Sequence, residues 1–309
     1  GNDPAHESLE AFAADLLGAE AGLYFGSGYA ANSALISTLP QKGDLVLYDA
    51  LIHASVHEGL RLTRADRKIF AHNDADSAAD ILAQWRSKGG NGQVWIVVES
   101  LYSMDGDVAD LAAFHRLAER EGAILIVDEA HAMGVLGPRG LGLADPGERP
   151  APDHLIRLVT SGKALGCEGA LLIGPTIMRD YLVNRARSFI FSTAPSPFMA
   201  AVAEAALRKV ASEPHHRERL AVLTAYAHAA LPPGLSTPSM RTPILPVIIG
   251  DNGRTMNIAG LLQEAGFDVR GIRPPTVPAG TSRLRVTITN NVSEAEIDAM
   301  FALLAEAVA

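Results

Sequence analysis

Two residues able to do covalent and acid–base chemistry each stand at the end of an apolar run. Ala123-Ile-Leu-Ile-Val127 has the unbroken hydrophobicity of a strand buried on both faces, and it stops at Asp128 with His131 three residues on. Leu155-Ile-Arg-Leu-Val159 stops in the same way at Thr160-Ser-Gly-Lys163. Ligands of parallel α/β sheets sit beyond the carboxyl ends of the strands, so a carboxylate, an imidazole and an amine are expected to converge there. A lysine amine condenses with aldehydes, and a charged acid keeps a ring nitrogen protonated. Pyridoxal phosphate needs both: the lysine for its Schiff base and the acid so that the ring can absorb the electrons of a carbanion. Lys163 lies between Gly162 and Ala164, where small neighbours leave room for a cofactor. Taken singly, an acid after a strand is often a cap and a lysine is usually a solvated charge. It is their shared placement at strand ends that favours chemistry.

The elements around this pair read as a wound parallel sheet. Leu9–Leu17 has helical apolar spacing and leads to the Gly22–Phe25 run. The turn Gly26-Ser27-Gly28-Tyr29-Ala30-Ala31-Asn32 opens a helix running to about Leu39, and backbone amides at such a turn make a phosphate site. The same letters fit G-x-G-x-x-A, and Asp49, ending the strand Leu45–Tyr48, stands where a dinucleotide-binding protein places its ribose-binding acid. An NAD-dependent dehydrogenase is therefore the rival, although it leaves Asp128, His131 and Lys163 unexplained. His53 lies in a loop. Val94–Val98 reads as a strand ending at Glu99 and leading to Ser103 and Met104-Asp-Gly-Asp107, which has too few oxygen ligands for a metal loop and reads as a turn. Leu111–Arg120 reads as an amphipathic helix, so that strand, helix and strand repeat.

Composition narrows the class. A chain of 309 residues, 48% hydrophobic and 20% charged, is long enough for one large and one smaller domain, expected at 1–211 and 212–309. A net charge of -9 and the lack of a basic run with interleaved aromatics argue against nucleic acid. No long uncharged apolar stretch suggests a membrane span, and the single cysteine, Cys167, fits a reducing, cytoplasmic setting and reads as a small core residue. A long helix is expected from Pro197 to about Val210, with a polar break over Ser212–Arg217. The remainder reads as a small α+β domain: strands over Leu245–Ile249, Phe267–Ile272 and Arg283–Thr289, helices over Thr255–Ala265 and Glu294–Val308. Arg283 and Arg285 alternate with Leu284 and so share a strand face.

Three stretches, Val127-Asp-Glu-Ala-His-Ala-Met-Gly-Val-Leu-Gly-Pro-Arg-Gly140, Thr160-Ser-Gly-Lys-Ala-Leu-Gly166 and Gly271-Ile-Arg-Pro-Pro-Thr-Val-Pro-Ala-Gly-Thr-Ser-Arg-Leu-Arg285, resemble the α-oxoamine synthases. The resemblance runs from Asn2 to the C-terminus. It implies an α/β fold, that of the fold-type I pyridoxal-phosphate transferases, with a mostly parallel central sheet and a smaller C-terminal α+β domain. It implies that Lys163 carries pyridoxal phosphate, that Asp128 serves the ring nitrogen, that His53 stacks on the ring and that His131 bonds its phenolic oxygen. Ser27, Gly28 and Tyr29 would hold the phosphate. Glu99, Ser103 and Thr160 would lie at the cofactor, while Ser192 and Thr193 would reach the phosphate of a neighbouring subunit in a homodimer with shared active sites. Arg285 and Arg273 would bind substrate. The wording of Ile272–Thr276 points to the member that joins L-alanine to pimeloyl-CoA or pimeloyl-acyl carrier protein, on the way to biotin, with loss of carbon dioxide. Glycine-using members, 2-amino-3-ketobutyrate ligase and 5-aminolevulinate synthase, share the core motifs. Two departures stand out. Glu168 occupies a position usually given to a small residue, and the several tens of residues that members carry before this point, with a helix and polar groups reaching the active site, are missing from this chain.

Overall fold

The structure is a computed structural model and describes residues 2–233, 235 and 241–308; Gly1 and Ala309, the outer limits of the two expected domains, lie outside them. The chain divides into two compact units, Gly1–Leu101 with Ala109–Pro214, and Tyr102–Val108 with His215–Ala309. A contiguous reading places Tyr102–Val108 in the large domain, whereas here it packs with the C-terminal unit.

The first unit contains α1 (Pro4–Leu16), β1 (Ala21–Phe25), α2 (Gly28–Thr38), β2 (Leu45–Asp49), α3 (Ala54–Leu62), β3 (Asp66–Phe70), α4 (Ala75–Ser87), β4 (Val94–Glu99), α5 (Leu111–Glu121), β5 (Ile124–Asp128), β6 (Leu155–Thr160), β7 (Ala170–Gly174), α6 (Thr176–Arg185), α7 (Arg187–Ile190) and α8 (Pro197–Ser212). Among the described residues seven strands form one sheet in the order β1-β7-β6-β5-β4-β2-β3. Pairing is parallel from β6 through β5, β4 and β2 to β3, and antiparallel only where β7 meets β6 and β1. The unbroken apolar runs follow from this. β1, β4 and β7 are buried along their whole length because helices cover both faces. On one face Leu35, Ile36, Val56 and Leu182 of α2, α3 and α6 pack on Ile126, Ile156 and Leu158. On the other Leu9, Ala13, Ala203 and Leu207 of α1 and α8 pack on Val159, Leu171 and Ile173.

Caps set where the helices begin. Ser27 Oγ accepts the Ala30 amide at 3.1 Å, and Asp110 accepts that of Ala113 at 3.0 Å. α5 then stops at Gly122, whose φ of +59° is the left-handed end that glycine favours. The carboxyl ends of β1, β2, β4, β5 and β6 therefore open on one edge, each followed by a turn.

The second unit adds α9 (His215–Ala230), β8 (Ile244–Gly250), α10 (Asn252–Glu264), β9 (Arg270–Ile272), β10 (Ser282–Thr287) and α11 (Glu294–Val308). Its described strands form an antiparallel sheet, β8-β10-β9, whose Leu245, Val247, Leu284 and Val286 pack with Ile258, Leu262, Ile297 and Phe301. The strand expected over Phe267–Ile272 shrinks to three residues because Val269 N closes on Phe267 O, a turn at 2.8 Å. The polar break expected over Ser212–Arg217 is only Glu213–Pro214, since α8 continues through Ser212 and α9 starts at His215.

Candidate active site

Asp128 ends β5 with its side chain buried at the carboxyl edge. Its Oδ1 accepts the Ala130 amide at 2.9 Å, which bends the chain into the turn carrying half-buried His131. Its Oδ2 accepts Asn32 Nδ2 at 2.7 Å, and the same nitrogen donates to Ser55 Oγ at 3.0 Å. Ser55 Oγ in turn lies 2.8 Å from His53 Nδ1, which also accepts the Ser55 amide at 3.2 Å. His53 is thus the N-terminal cap of α3, a loop residue held by the helix it opens. His53 is exposed as a whole, yet desolvation where its ring meets the protein pushes it below the ordinary imidazole range. The Asp128 carboxylate works against the shift and the Lys163 charge with it. Asp128, His53 and Lys163 therefore share one electrostatic neighbourhood, although they come from the ends of β5, β2 and β6.

The turn between β1 and α2 borders the same edge. Ser27 is exposed, Gly28 partly so, and Tyr29 is half exposed. The amides of Gly28 and Tyr29 belong to the first turn of α2, where no intrahelical acceptor exists. A Cβ on Gly28 would meet only Thr160 and Leu158, at 3.6 Å or more; on Gly162 it would meet Cys167 O at 3.6 Å, and on Gly26 nothing within 4 Å. The chain's own packing does not demand glycine at these positions, so the space before them suits a ligand. Thr160 Oγ1 donates to Gly169 O at 3.3 Å and accepts the Gly162 amide at 3.4 Å, shaping the turn that carries exposed Lys163. Burial pushes the Cys167 thiol up despite its bond to Ser161, which suits a packing role. Glu168 is exposed, and its backbone carbonyl accepts the Tyr24 hydroxyl at 2.8 Å.

Glu99 ends β4, buried, as the parallel partner of Asp128. Ser192 and Thr193 are exposed beyond α7. In the second unit, buried Ser103 gives its carbonyl to Arg285 Nε at 2.7 Å, and burial pulls the Arg285 guanidinium below its usual value. Arg283 is buried against Asp105 and Thr281, so the Met104–Asp107 turn serves an ion pair. The two arginines do share a face. Arg273 is exposed in the loop after β9.

The dinucleotide reading fails at Asp49. That carboxylate is fully buried, which works to raise its pKa, but it is committed to His72 Nδ1 at 2.8 Å, the Asn73 amide at 2.7 Å and the Leu51 amide at 2.8 Å, which together hold it below the usual carboxylate range. It closes the β2 turn and is not available to a ribose. Sequence reasoning also missed residues here. Asn32 stood only as the last residue of the turn that opens α2, with no role of its own. Glu129, wholly buried, accepts Ser100 Oγ, Leu143 N and Ala144 N and faces Arg157 Nη2 at 3.6 Å. An arginine inside an otherwise apolar run was the signal, because a charge buried in a central strand requires a partner.

Residues 2–303 match the family model described as aminotransferase class I and II. A curated 8-amino-7-oxononanoate synthase of Anaeromyxobacter dehalogenans (strain 2CP-C) is 44% identical over 308 residues, covering 99% of this chain and 76% of that one. The chain belongs to the class I and II aminotransferases, in their α-oxoamine synthase branch. A second relative of this branch, the 8-amino-7-oxononanoate synthase of Alkalilimnicola ehrlichii, is 40% identical over 99% of this chain and 78% of its own. Among solved structures, the serine palmitoyltransferase of S. paucimobilis with a bound PLP–myriocin aldimine superposes with a TM-score of 0.92 at 29% identity, covering 99% and 77%. The 8-amino-7-oxononanoate synthase of Francisella tularensis gives 0.83 at 25%, covering 100% and 88%. The α/β architecture of fold-type I transferases, with its largely parallel sheet and smaller C-terminal unit, is thus the fold of this α-oxoamine synthase.

Proposed function

We propose that the chain catalyses the decarboxylative condensation of L-alanine with a pimeloyl thioester, releasing carbon dioxide and free thiol and giving 8-amino-7-oxononanoate, with pyridoxal phosphate as cofactor. The observation that carries the reading is that Asp128 ends β5 and Lys163 follows the adjacent parallel strand, β6, with His53 tied to Asp128 through Asn32 and Ser55. The names of the relatives at 40–44% identity support the product. The residues fit the cofactor: a buried carboxylate for a ring nitrogen, first-turn amides for a phosphate, and glycines at 26, 28 and 162 that internal packing does not require. When bound, pyridoxal phosphate supplies a cationic ring that draws electrons from the α-carbon of the substrate.

The chain's residues then divide the work. The Gly28 and Tyr29 amides, with Ser27 and Thr160, hold the phosphate at the positive end of α2. By the family resemblance Asp128 would hold the proton of the ring nitrogen and His53 would offer its flat face to the ring, while His131, Glu99 and Ser103 would serve its polar edge. Lys163 would be the amine that holds the cofactor and, once neutral, the base that takes the α-proton of alanine and returns a proton to the product. Arg285, with Nε spent on Ser103, has two outer nitrogens that would suit the alanine carboxylate in parallel, and Arg273 would add a second cation. Ser192 and Thr193 serve the phosphate of a second copy, so the working form is a homodimer in the cytoplasm. No helix among the described residues is long and apolar enough to cross a membrane, which is compatible with that setting.

The test is a matrix of pimeloyl-CoA, pimeloyl-acyl carrier protein and acetyl-CoA, each with alanine or glycine, read by thiol release. Alanine with a pimeloyl thioester is expected to turn over fastest. A preference for glycine with acetyl-CoA would overturn the substrate assignment, and no turnover with any pair would overturn the reaction.

A further inference from the structure

Asn32 is the buried hinge of the site, yet nothing in the reaction assigned above uses it. It is 2% exposed on α2, and its nitrogen bridges two acceptors from different elements: Asp128 Oδ2 at the end of β5 and Ser55 Oγ in α3. The amide orientation follows from chemistry, because a carboxylate only accepts and so must face the nitrogen. That nitrogen only donates, which makes Ser55 Oγ an acceptor on that side. The single Ser55 hydroxyl hydrogen is then left for His53 Nδ1, 2.8 Å away. Nδ1 also receives the Ser55 amide, so it carries a lone pair and the ring proton sits on Nε2. Every hydrogen in the chain Asp128–Asn32–Ser55–His53 has one direction.

We propose that Asn32 is a positioning residue that orders these hydrogen bonds, fixing His53 as the neutral Nε2–H tautomer and locking its ring to the Asp128 carboxylate. Asn32 Oδ1 is buried without a hydrogen-bond partner among the described residues. An apolar residue would not incur that cost, so the amide is kept for its nitrogen. The charged and titratable groups around His53 are Asp128 after β5, Lys163 after β6 and His57 on α3, and burial with Lys163 disfavours the imidazolium. A neutral ring pinned at Nδ1 keeps one face available to an aromatic ligand. Asp128 at the end of β5 and His53 at the start of α3 are thereby held in register with each other. The cofactor-affinity arm of the test rests on the function proposed above; the tautomer arm does not.

The experiment uses the cofactor-free chain labelled with 15N-histidine and long-range 1H–15N NMR, followed by titration with pyridoxal phosphate. The native chain is expected to show His53 as Nε2–H over the neutral range. Ser55→Ala removes the hydroxyl donor, leaves Nδ1 only the longer bond from the residue 55 amide, and spares the Asn32–Asp128 bond; it is expected to lower the Nε2–H share of His53 with cofactor affinity within about threefold of native. Asn32→Leu is expected to lower that share as well and also weaken cofactor binding about tenfold to a hundredfold, the range for losing a hydrogen bond to a charged group. A native Nδ1–H tautomer, or an Nε2–H share undiminished in both variants, would overturn the proposal. If Asn32→Leu fails to fold, the native and Ser55→Ala spectra decide it. A native chain that shows the tautomer but takes up no pyridoxal phosphate supports the hydrogen-bond order and overturns the function proposed above.

Discussion

Replacing Glu129 with alanine should be among the most destabilising single changes in the first unit. The carboxylate is 0% exposed and sits one residue after Asp128. Its Oε2 accepts Ser100 Oγ at 2.5 Å and the Leu143 amide at 3.1 Å; its Oε1 accepts the Ala144 amide at 2.6 Å and faces Arg157 Nη2 at 3.6 Å. Removing it strands two backbone amides and a guanidinium that is 1% exposed. Breaking one side of a buried charge pair costs about 3–5 kcal/mol, and each stranded donor about 1–3 kcal/mol, though these do not add because water can enter the vacated space. A loss of about 3–5 kcal/mol is therefore expected, roughly 6–20 °C in Tm for a unit of this size. Arg157→Met should cost less than Glu129→Ala, because the buried carboxylate loses its counter-charge but keeps its other three donors. The two tryptophans, Trp85 and Trp95, both lie in the first unit, so urea unfolding followed by fluorescence reports on it alone. A Glu129→Ala loss below about 1 kcal/mol, or an Arg157→Met loss equal to it, would refute this reasoning.

Burial holds His53, His57 and His115 below the ordinary 6.5. The unfolded chain therefore binds more protons than the native one just below that value, and stability should fall as pH drops from 7.5 to 5.5; Glu10, raised by burial, works in the opposite sense. His115→Gln should flatten the decline in urea midpoint, and a midpoint that holds or rises over that window would contradict the sign. Gly169→Ala should cost about 1–3 kcal/mol, measured by the same unfolding, because φ is +97° and a Cβ would lie 2.4 Å from the Tyr24 ring; a variant as stable as native would speak against that fit. Cys167 should react with iodoacetamide at pH 7.5 far more slowly than a free thiol, and Cys167→Ala should keep thiol-release activity within about twofold; fast labelling would contradict its raised pKa.

The strands that carry the site were legible because each is an unbroken apolar run ending in a polar residue. β5 and β6 extend just one residue past their expected ends, to Asp128 and Thr160. β3 escaped notice because Asp66-Arg-Lys is exposed at the sheet edge, where no apolar pattern is imposed. His53 was expected in a loop, but that the same residue caps α3 depends on a hydrogen bond that spacing does not reveal. Tyr102–Val108 was unreadable in another way: Thr242 Oγ1 donates to Gly106 O at 2.7 Å, and Arg285 reaches Ser103, contacts more than a hundred residues apart in sequence that draw a loop into the other unit. Asn32 and Glu129 share a further reason. A polar residue in a helix or after a strand reads as surface until the partners that bury it are known.

The central claim is that Lys163 is the amine that carries the cofactor. The direct measurement incubates the chain with pyridoxal phosphate, reduces it with borohydride, digests it and locates the added mass. One pyridoxyl phosphate group on the peptide containing Lys163, absent in Lys163→Ala, is the predicted result. A label fixed on another lysine, or none at all, would contradict it.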